Sequence, residues 1–148
     1  MEKEIAKILL ELNEVTLRPM NPFTWASGMK SPIYCDNRLI ISDHEKREKV
    51  VNGYVKIINE HNLEYDIIGG TSTAGIPWAS WIAQRLEKPM IYIRSKPKDH
   101  GKENLIEGRL EKGQRVLVIE DLISTGGSSV GAVQAVRDQG GIVTDCIA

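Results

Sequence analysis

The stretch RVLVIEDLISTGGSSVGAV, residues 115 to 133, runs four apolar residues into two adjacent acids, and the acids into a turn of Ser, Thr and Gly. An unbroken apolar run such as 116–119 suits a strand covered on both faces, as in a parallel sheet. The turn leads into a helix. Carboxylates repel anions, whereas a Ser/Thr/Gly turn at a helix start collects them, because its backbone N–H groups add to the positive end of the helix. Gly126 and Gly127 let the main chain approach closely there and adopt positive φ. In open α/β sheets, ligands sit beyond the carboxyl ends of the strands, which is where these acids and this turn fall.

The rest of the chain extends that pattern. Ile5, Ile8, Leu9 and Leu12 recur at i, i+3, i+4 and i+7 and predict a helix over 2–14. Residues 16–38, rich in Pro, Gly, Ser and aromatics, read as irregular or short-strand structure. Ser42 with Glu45 forms a capping box, opening a helix whose buried stripe is Val50, Val51, Tyr54, Val55 and Ile58. DIIGG (66–70), MIYIR (90–94), VLVIE (116–120) and GIVTDCIA (141–148) read as strands, and Pro77 opens a helix to about Glu87. Strands alternating with helices imply βαβ units and an α/β fold with a doubly wound, mostly parallel sheet. The 148 residues are read as one domain, with an N-terminal segment 1–40 and a core 41–148. A sheet that stops on a strand with no helix to cover it reads as shortened at its C-terminal end.

Composition narrows the function classes. A net charge of −1 gives no reason to expect nucleic acid or a membrane surface as partner. No apolar run approaches the ~18 residues of a spanning helix, and the start alternates charge with apolar residues, unlike a signal peptide. Cys35 and Cys146 form no CxxC pair, which fits reduced thiols and a cytoplasmic location. GTSTA at 70–74 misses the nucleophile elbow by its last residue, and HEKRE at 44–48 lacks the second His of a zinc site. No GxGxxG or GxxxxGK[ST] occurs, so dinucleotide and nucleoside triphosphate sites have no support.

Acids beside an anion turn suit a sugar phosphate: the turn takes the phosphate and the carboxylates accept from the sugar hydroxyls. The competing reading, a capped helix after a plain turn, loses weight because STGGSS follows the acids at once. VLVIEDLISTGGSS resembles the phosphoribosyl pyrophosphate (PRPP) motif of type I phosphoribosyltransferases. That resemblance implies that Glu120, Asp121, Leu122, Ile123, Ser124, Thr125, Gly126, Gly127 and Ser128 hold the ribose and its 5-phosphate. It also implies Mg²⁺, bound mainly through PRPP, with no metal site of the protein's own.

RSKPKDHGKENLIEG (94–108) carries five basic side chains, Arg94, Lys96, Lys98, His100 and Lys102, and no apolar period, so a solvated loop and an active-site lid both fit. The run R-x-x-x-K-x-H-G is similar to the catalytic loop of orotate phosphoribosyltransferases. On that likeness Arg94, Lys98 and His100 meet the pyrophosphate of PRPP, with Lys98 and Asp121 as the catalytic pair. The loop would be shared across a homodimer. Ser95 stands where many members carry a second Lys. FTWASGMKSPIYCDNR (23–38) is similar to the hood those enzymes place over the base, which implies orotate contacts from Tyr34, Cys35 and, within the turn, Ser124. Ala26 stands where some members have a substrate-contacting Lys, leaving Lys30 as a candidate substitute. GGTSTAGIP (69–77) occupies the place of the pyrophosphate loop, with Ser72 and Thr73 as donors, although a strand-ending turn before Pro77 also explains it. The implied activity is transfer of the 5-phosphoribosyl group from PRPP to orotate in pyrimidine synthesis. A PRPP-binding regulator without catalysis, or transfer to another base, remains open at this stage.

Overall fold

The computed structural model describes residues 2–12, 15–25, 27–96 and 104–148. The chain divides into two compact units, Met1–Gly53 and Tyr54–Ala148.

In the first unit, α1 (Glu2–Glu11) buries Ile8 and leaves Ile5, Leu9 and Leu12 half-buried, as the helical spacing predicts. The segment after it forms four short strands: β1 (Val15–Leu17), β2 (Phe23–Thr24), β3 (Lys30–Ser31) and β4 (Ile33–Cys35). They pair antiparallel as β1 with β4 and β2 with β3. A 3-10 turn over Asn37–Ser42 follows, opened by Asp36, whose Oδ1 accepts from the Arg38 N–H. Helix α2 spans His44–Glu60. Ser42, expected to cap α2, is absorbed by the 3-10 turn, and Asp43 takes over: its Oδ1 accepts from the Lys46 N–H at 3.0 Å. A carboxylate does this better than a hydroxyl because it also faces the positive end of the helix.

The second unit is built on a five-stranded sheet in the order β7-β6-β5-β8-β9. Its strands are β5 (Ile67–Thr71), β6 (Met90–Ile93), β7 (Ile106–Glu107), β8 (Val116–Ile119) and β9 (Cys146–Ile147). All neighbours are parallel except β6 and β7. The antiparallel edge strand was not expected from sequence, because two residues inside a charged segment show no period. β9 is shorter than 141–148: Ile142 bridges Arg115, and the regular ladder resumes only at Cys146.

Helices α3 (Gly75–Arg85) and α4 (Gly127–Asp138) cover the two faces of the sheet. On one face Ile67, Ile91, Ile93, Val116 and Val118 form a core with Ala132, Ala135 and Val136 of α4. Each such fully buried aliphatic side chain contributes about 1.5–3 kcal/mol. On the other face α3 comes so close that a Cβ on Gly70 would lie 2.8 Å from the Ala79 Cβ. α3 starts two residues before Pro77, which then occupies its first turn, where a missing N–H costs nothing. Gly75 abuts the end of β8: a Cβ there would lie 2.6 Å from the Ile119 carbonyl oxygen. At the opposite end of the sheet Asp66 accepts from the Arg115 backbone N–H and guanidinium at 2.8 Å each.

Two outcomes follow from these contacts. Gly75→Ala forces α3 off the strand ends and should cost about 1–3 kcal/mol, read as a lower denaturant midpoint; an unchanged midpoint would show that the close approach is dispensable. The hydrogen bonds from Arg115 hold the Asp66 carboxyl at about 2, below the ~3.9 of an unfolded chain. Its contribution is therefore present above about pH 4 and lost as pH falls toward 2. Asp66→Asn should be less stable than the parent chain at neutral pH, with the gap closing between about pH 4 and 2. A gap independent of pH would contradict this.

Candidate functional site

The carboxyl ends of β5, β6 and β8 and the N-terminus of α4 meet at one edge of the sheet, and of the expected site residues Ser72, Thr73, Arg94 and residues 120–128 fall there. β8 delivers Glu120 and Asp121, and the chain then turns through Ser124 and Thr125 to Gly126. Gly126 sits at φ 80 as the N-cap of α4 with no side chain to cap it. The first intrahelical bond runs from Val130 N–H to Gly126 O, so the N–H groups of Gly127 to Ser129 precede the helical ladder. Unbonded N–H groups at a helix start are what an anion cradle is built from. Ser124, Thr125 and Ser128 are exposed beside it, as are the side chains of Leu122 and Ile123.

The two acids differ. Asp121 is half-buried, whereas Glu120 is 5% exposed. Glu120 Oε1 accepts from Thr71 Oγ1 at 2.5 Å and from the Asp121 N–H at 3.2 Å; Oε2 accepts from Ser128 Oγ at 3.1 Å. Behind it, the Tyr54 hydroxyl donates to the Glu120 carbonyl at 2.9 Å. Burial, reinforced by the nearby Asp121 and Glu120 carboxyls, pushes the Tyr54 phenol well above its ordinary range, so it stays a donor. Burial raises the neighbouring Cys146 thiol in the same way.

The loop after β5 lies beside this network. The Ser72 N–H donates to Ile93 O at 2.8 Å, the Ser72–Thr73 peptide is cis, and Thr73 is exposed. Ser72 Oγ accepts from the Ser95 N–H at 2.9 Å, tying this loop to the root of the 94–108 segment. The same root is closed by Arg94 N–H donating to Leu105 O at 2.7 Å. The Arg94 guanidinium contacts Glu107 Oε1 at 3.3 Å and donates through Nε to the Lys96 carbonyl at 3.1 Å. An open cavity of about 180 Å³ lies between these elements, lined by Ser72 and Arg94 on one side and Gly127 and Ser128 on the other. Lys98 and His100, like Ala26, lie outside the described residues.

Within the first unit, Tyr34 and Cys35 are consecutive in β4. Tyr34 is 39% exposed with its ring 5.4 Å from that of Phe23, and the Cys35 thiol donates to Asn37 Oδ1 at 2.9 Å. Lys30 is exposed in β3. Among the described residues no three His, Cys, Asp or Glu side chains gather in a way that would cage a metal, and no helix is long and apolar enough to cross a membrane. A donor set of one or two carboxylates fits an ion such as Mg²⁺ only when a ligand's phosphate oxygens complete its shell. Sequence reasoning missed Thr71 as the partner of Glu120 and Tyr54 as more than a buried stripe residue. The first contact joins positions 49 residues apart and the second 66, so no local signal marks either.

The family model described as phosphoribosyl transferase domain matches residues 38–146. A curated orotate phosphoribosyltransferase of Coxiella burnetii is 57% identical over 145 residues, covering 98% of this chain and 69% of that protein. Among solved structures, orotate phosphoribosyltransferase from Aeropyrum pernix superposes with a TM-score of 0.83 at 30% identity, covering 96% of this chain and 78% of that one. UMP synthase of Leishmania donovani gives 0.81 at 34% identity, with 97% of this chain matching 30% of that longer one.

Proposed function

The chain belongs to the phosphoribosyltransferase family, among the orotate phosphoribosyltransferases, and from that premise we propose that it transfers the 5-phosphoribosyl group of PRPP to orotate. The products are orotidine 5′-phosphate and pyrophosphate, a step of pyrimidine synthesis. The observation that carries this reading is the cavity shared by the Ser72 loop and the start of α4, with Glu120 hydrogen-bonded to Thr71 and Ser128 of its lining. One ligand with an anion at each end and a diol between them matches that order.

In this reading the N–H groups at the start of α4, with Ser124, Thr125 and Ser128 around them, anchor the 5-phosphate. Glu120 and Asp121 mark the place of the ribose hydroxyls. Donors of the Ser72–Thr73 loop and the Arg94 guanidinium face the pyrophosphate. The carbon–oxygen bond to pyrophosphate breaks as the ring nitrogen of orotate bonds to the same carbon, so no covalent enzyme intermediate is needed. Anchoring the substrate at both ends converts an encounter into a positioned reaction. Negative charge grows on the departing pyrophosphate, and Lys98 with His100 would meet it there. Mg²⁺, carried mainly on the oxygens of PRPP, offsets part of the same charge when bound. Tyr34, Cys35 and Ser124 are the proposed orotate contacts. A cytoplasmic homodimer sharing the 94–108 segment between subunits completes the proposal.

The test is orotate absorbance followed in the presence of PRPP and Mg²⁺. Orotate consumption with matching release of pyrophosphate is expected, and Lys98→Ala should lower kcat by roughly 10²- to 10³-fold with the melting temperature unchanged. PRPP binding without turnover would argue for a sensor instead, and unaltered turnover in K98A would remove the lid from the mechanism.

A further inference from the structure

The cation at the root of the 94–108 segment has a carboxylate beside it. Arg94, the first residue after β6, donates through Nη1 to Glu107 Oε1 at 3.3 Å and through Nε to the Lys96 carbonyl at 3.1 Å. Gripped at two of its three nitrogens, the planar guanidinium has its orientation set, and among the described residues no hydrogen bond engages Nη2. Glu107 is itself pinned. It pairs with Tyr92 across the β6–β7 ladder, and Asn104 Oδ1 shapes the start of its strand by accepting from the Ile106 N–H at 2.8 Å. Gly108, at φ 103, then brings the chain so close to β6 that a Cβ there would lie 3.0 Å from Ile91 Cγ2. The Arg94 and Glu107 side chains are 31% and 23% exposed, and an ion pair that open to water adds little to stability. It also has an electrostatic cost, because the carboxylate cancels much of the field with which Arg94 would attract an anion. A cation placed only for attraction would do better without it.

We infer that Glu107 is a positioning residue for the pyrophosphate contact: it fixes the Arg94 guanidinium in one orientation, so that the remaining N–H groups meet the anion already aimed. This deepens the PRPP reading and rests on it. An unrestrained arginine spreads over many rotamers and must be ordered when its ligand arrives, whereas one held beforehand loses less freedom on binding. Orientation and attraction predict opposite signs. Neutralising Glu107 strengthens anion binding if its charge is all that matters, and weakens it if Glu107 holds the guanidinium.

The experiment titrates PRPP, pyrophosphate and ribose 5-phosphate, each with Mg²⁺, into the chain and its E107Q, R94A, R94K and R94A/E107Q variants by calorimetry. E107Q keeps the size of the side chain and removes its charge. It should weaken PRPP and pyrophosphate by roughly five- to tenfold, a part of the rotamer freedom of an arginine. Ribose 5-phosphate, which has no pyrophosphate, should change by less than about twofold. In the R94A background E107Q should no longer weaken either ligand, since Glu107 acts through Arg94. R94K keeps the charge but offers no plane to be held, so it should bind close to R94A; it decides the matter should E107Q fail to fold. Tighter or unchanged pyrophosphate binding in E107Q, the same loss with and without Arg94, an equal loss for ribose 5-phosphate, or parent affinity in R94K would each overturn the role of Glu107 while leaving PRPP as the ligand. Failure of the parent chain to bind PRPP at all would overturn both that role and the reading beneath it.

Discussion

A carboxyl group at the end of a buried central strand has to be satisfied where it stands, and much of this site follows from how that is done for Glu120. Leaving such a group without partners in the interior costs several kcal/mol. The strand cannot supply the donors, because its own N–H groups belong to the ladder. They come instead from the ends of neighbouring elements: the Thr71 hydroxyl from β5, the Ser128 hydroxyl from α4, and the Asp121 N–H from the turn itself. Solving a burial problem with side chains from separate segments fastens those segments to one another. The segments fastened are the ones that would hold the two charged ends of PRPP.

The glycines serve the same constraint by removing bulk. Gly75 lets α3 start against the Ile119 carbonyl and leaves room for the Thr71 hydroxyl, 3.2 Å from that carbonyl on the paired strand, and Gly70 lets α3 lie close along β5. Gly126 takes the left-handed conformation that turns the chain into α4 with its first N–H groups facing outward. The cationic segment is rooted in this frame as well. Its stem is an extension of the β6–β7 pair at Arg94 and Leu105, and the Ser95 N–H hangs on the Ser72 hydroxyl. The root of the segment proposed to meet the pyrophosphate is thus anchored to the loop proposed to bind it.

Much of the second unit was legible because its signals are local. The run 116–119, the acids, the STGGSS turn, and the apolar segments at 67–71 and 90–93 each carry their meaning within a few residues. Boundaries failed where two motifs competed for the same residues, as when the 3-10 turn took Ser42 and moved the cap to Asp43. The β7 strand was hidden because the single apolar pair Leu105-Ile106 in a charged segment has no period, although Ile106 is buried once paired with Ile93. The difference between the two acids was illegible for another reason. Glu120 and Asp121 are chemically alike and adjacent, and only the fold decides which one meets Thr71 and Ser128 and which stays at the edge. The assignment of orotate as the acceptor came from resemblance in the 23–38 and 94–108 segments, not from spacing or composition.

A crystal of this chain grown with PRPP and Mg²⁺ tests the account most directly. The account predicts the 5-phosphate within hydrogen-bond distance of the N–H groups at Gly127 to Ser129, and the ribose hydroxyls at the acid pair Glu120 and Asp121. A map with the ribose away from both acids, or with the phosphate seated away from the start of α4, would contradict it.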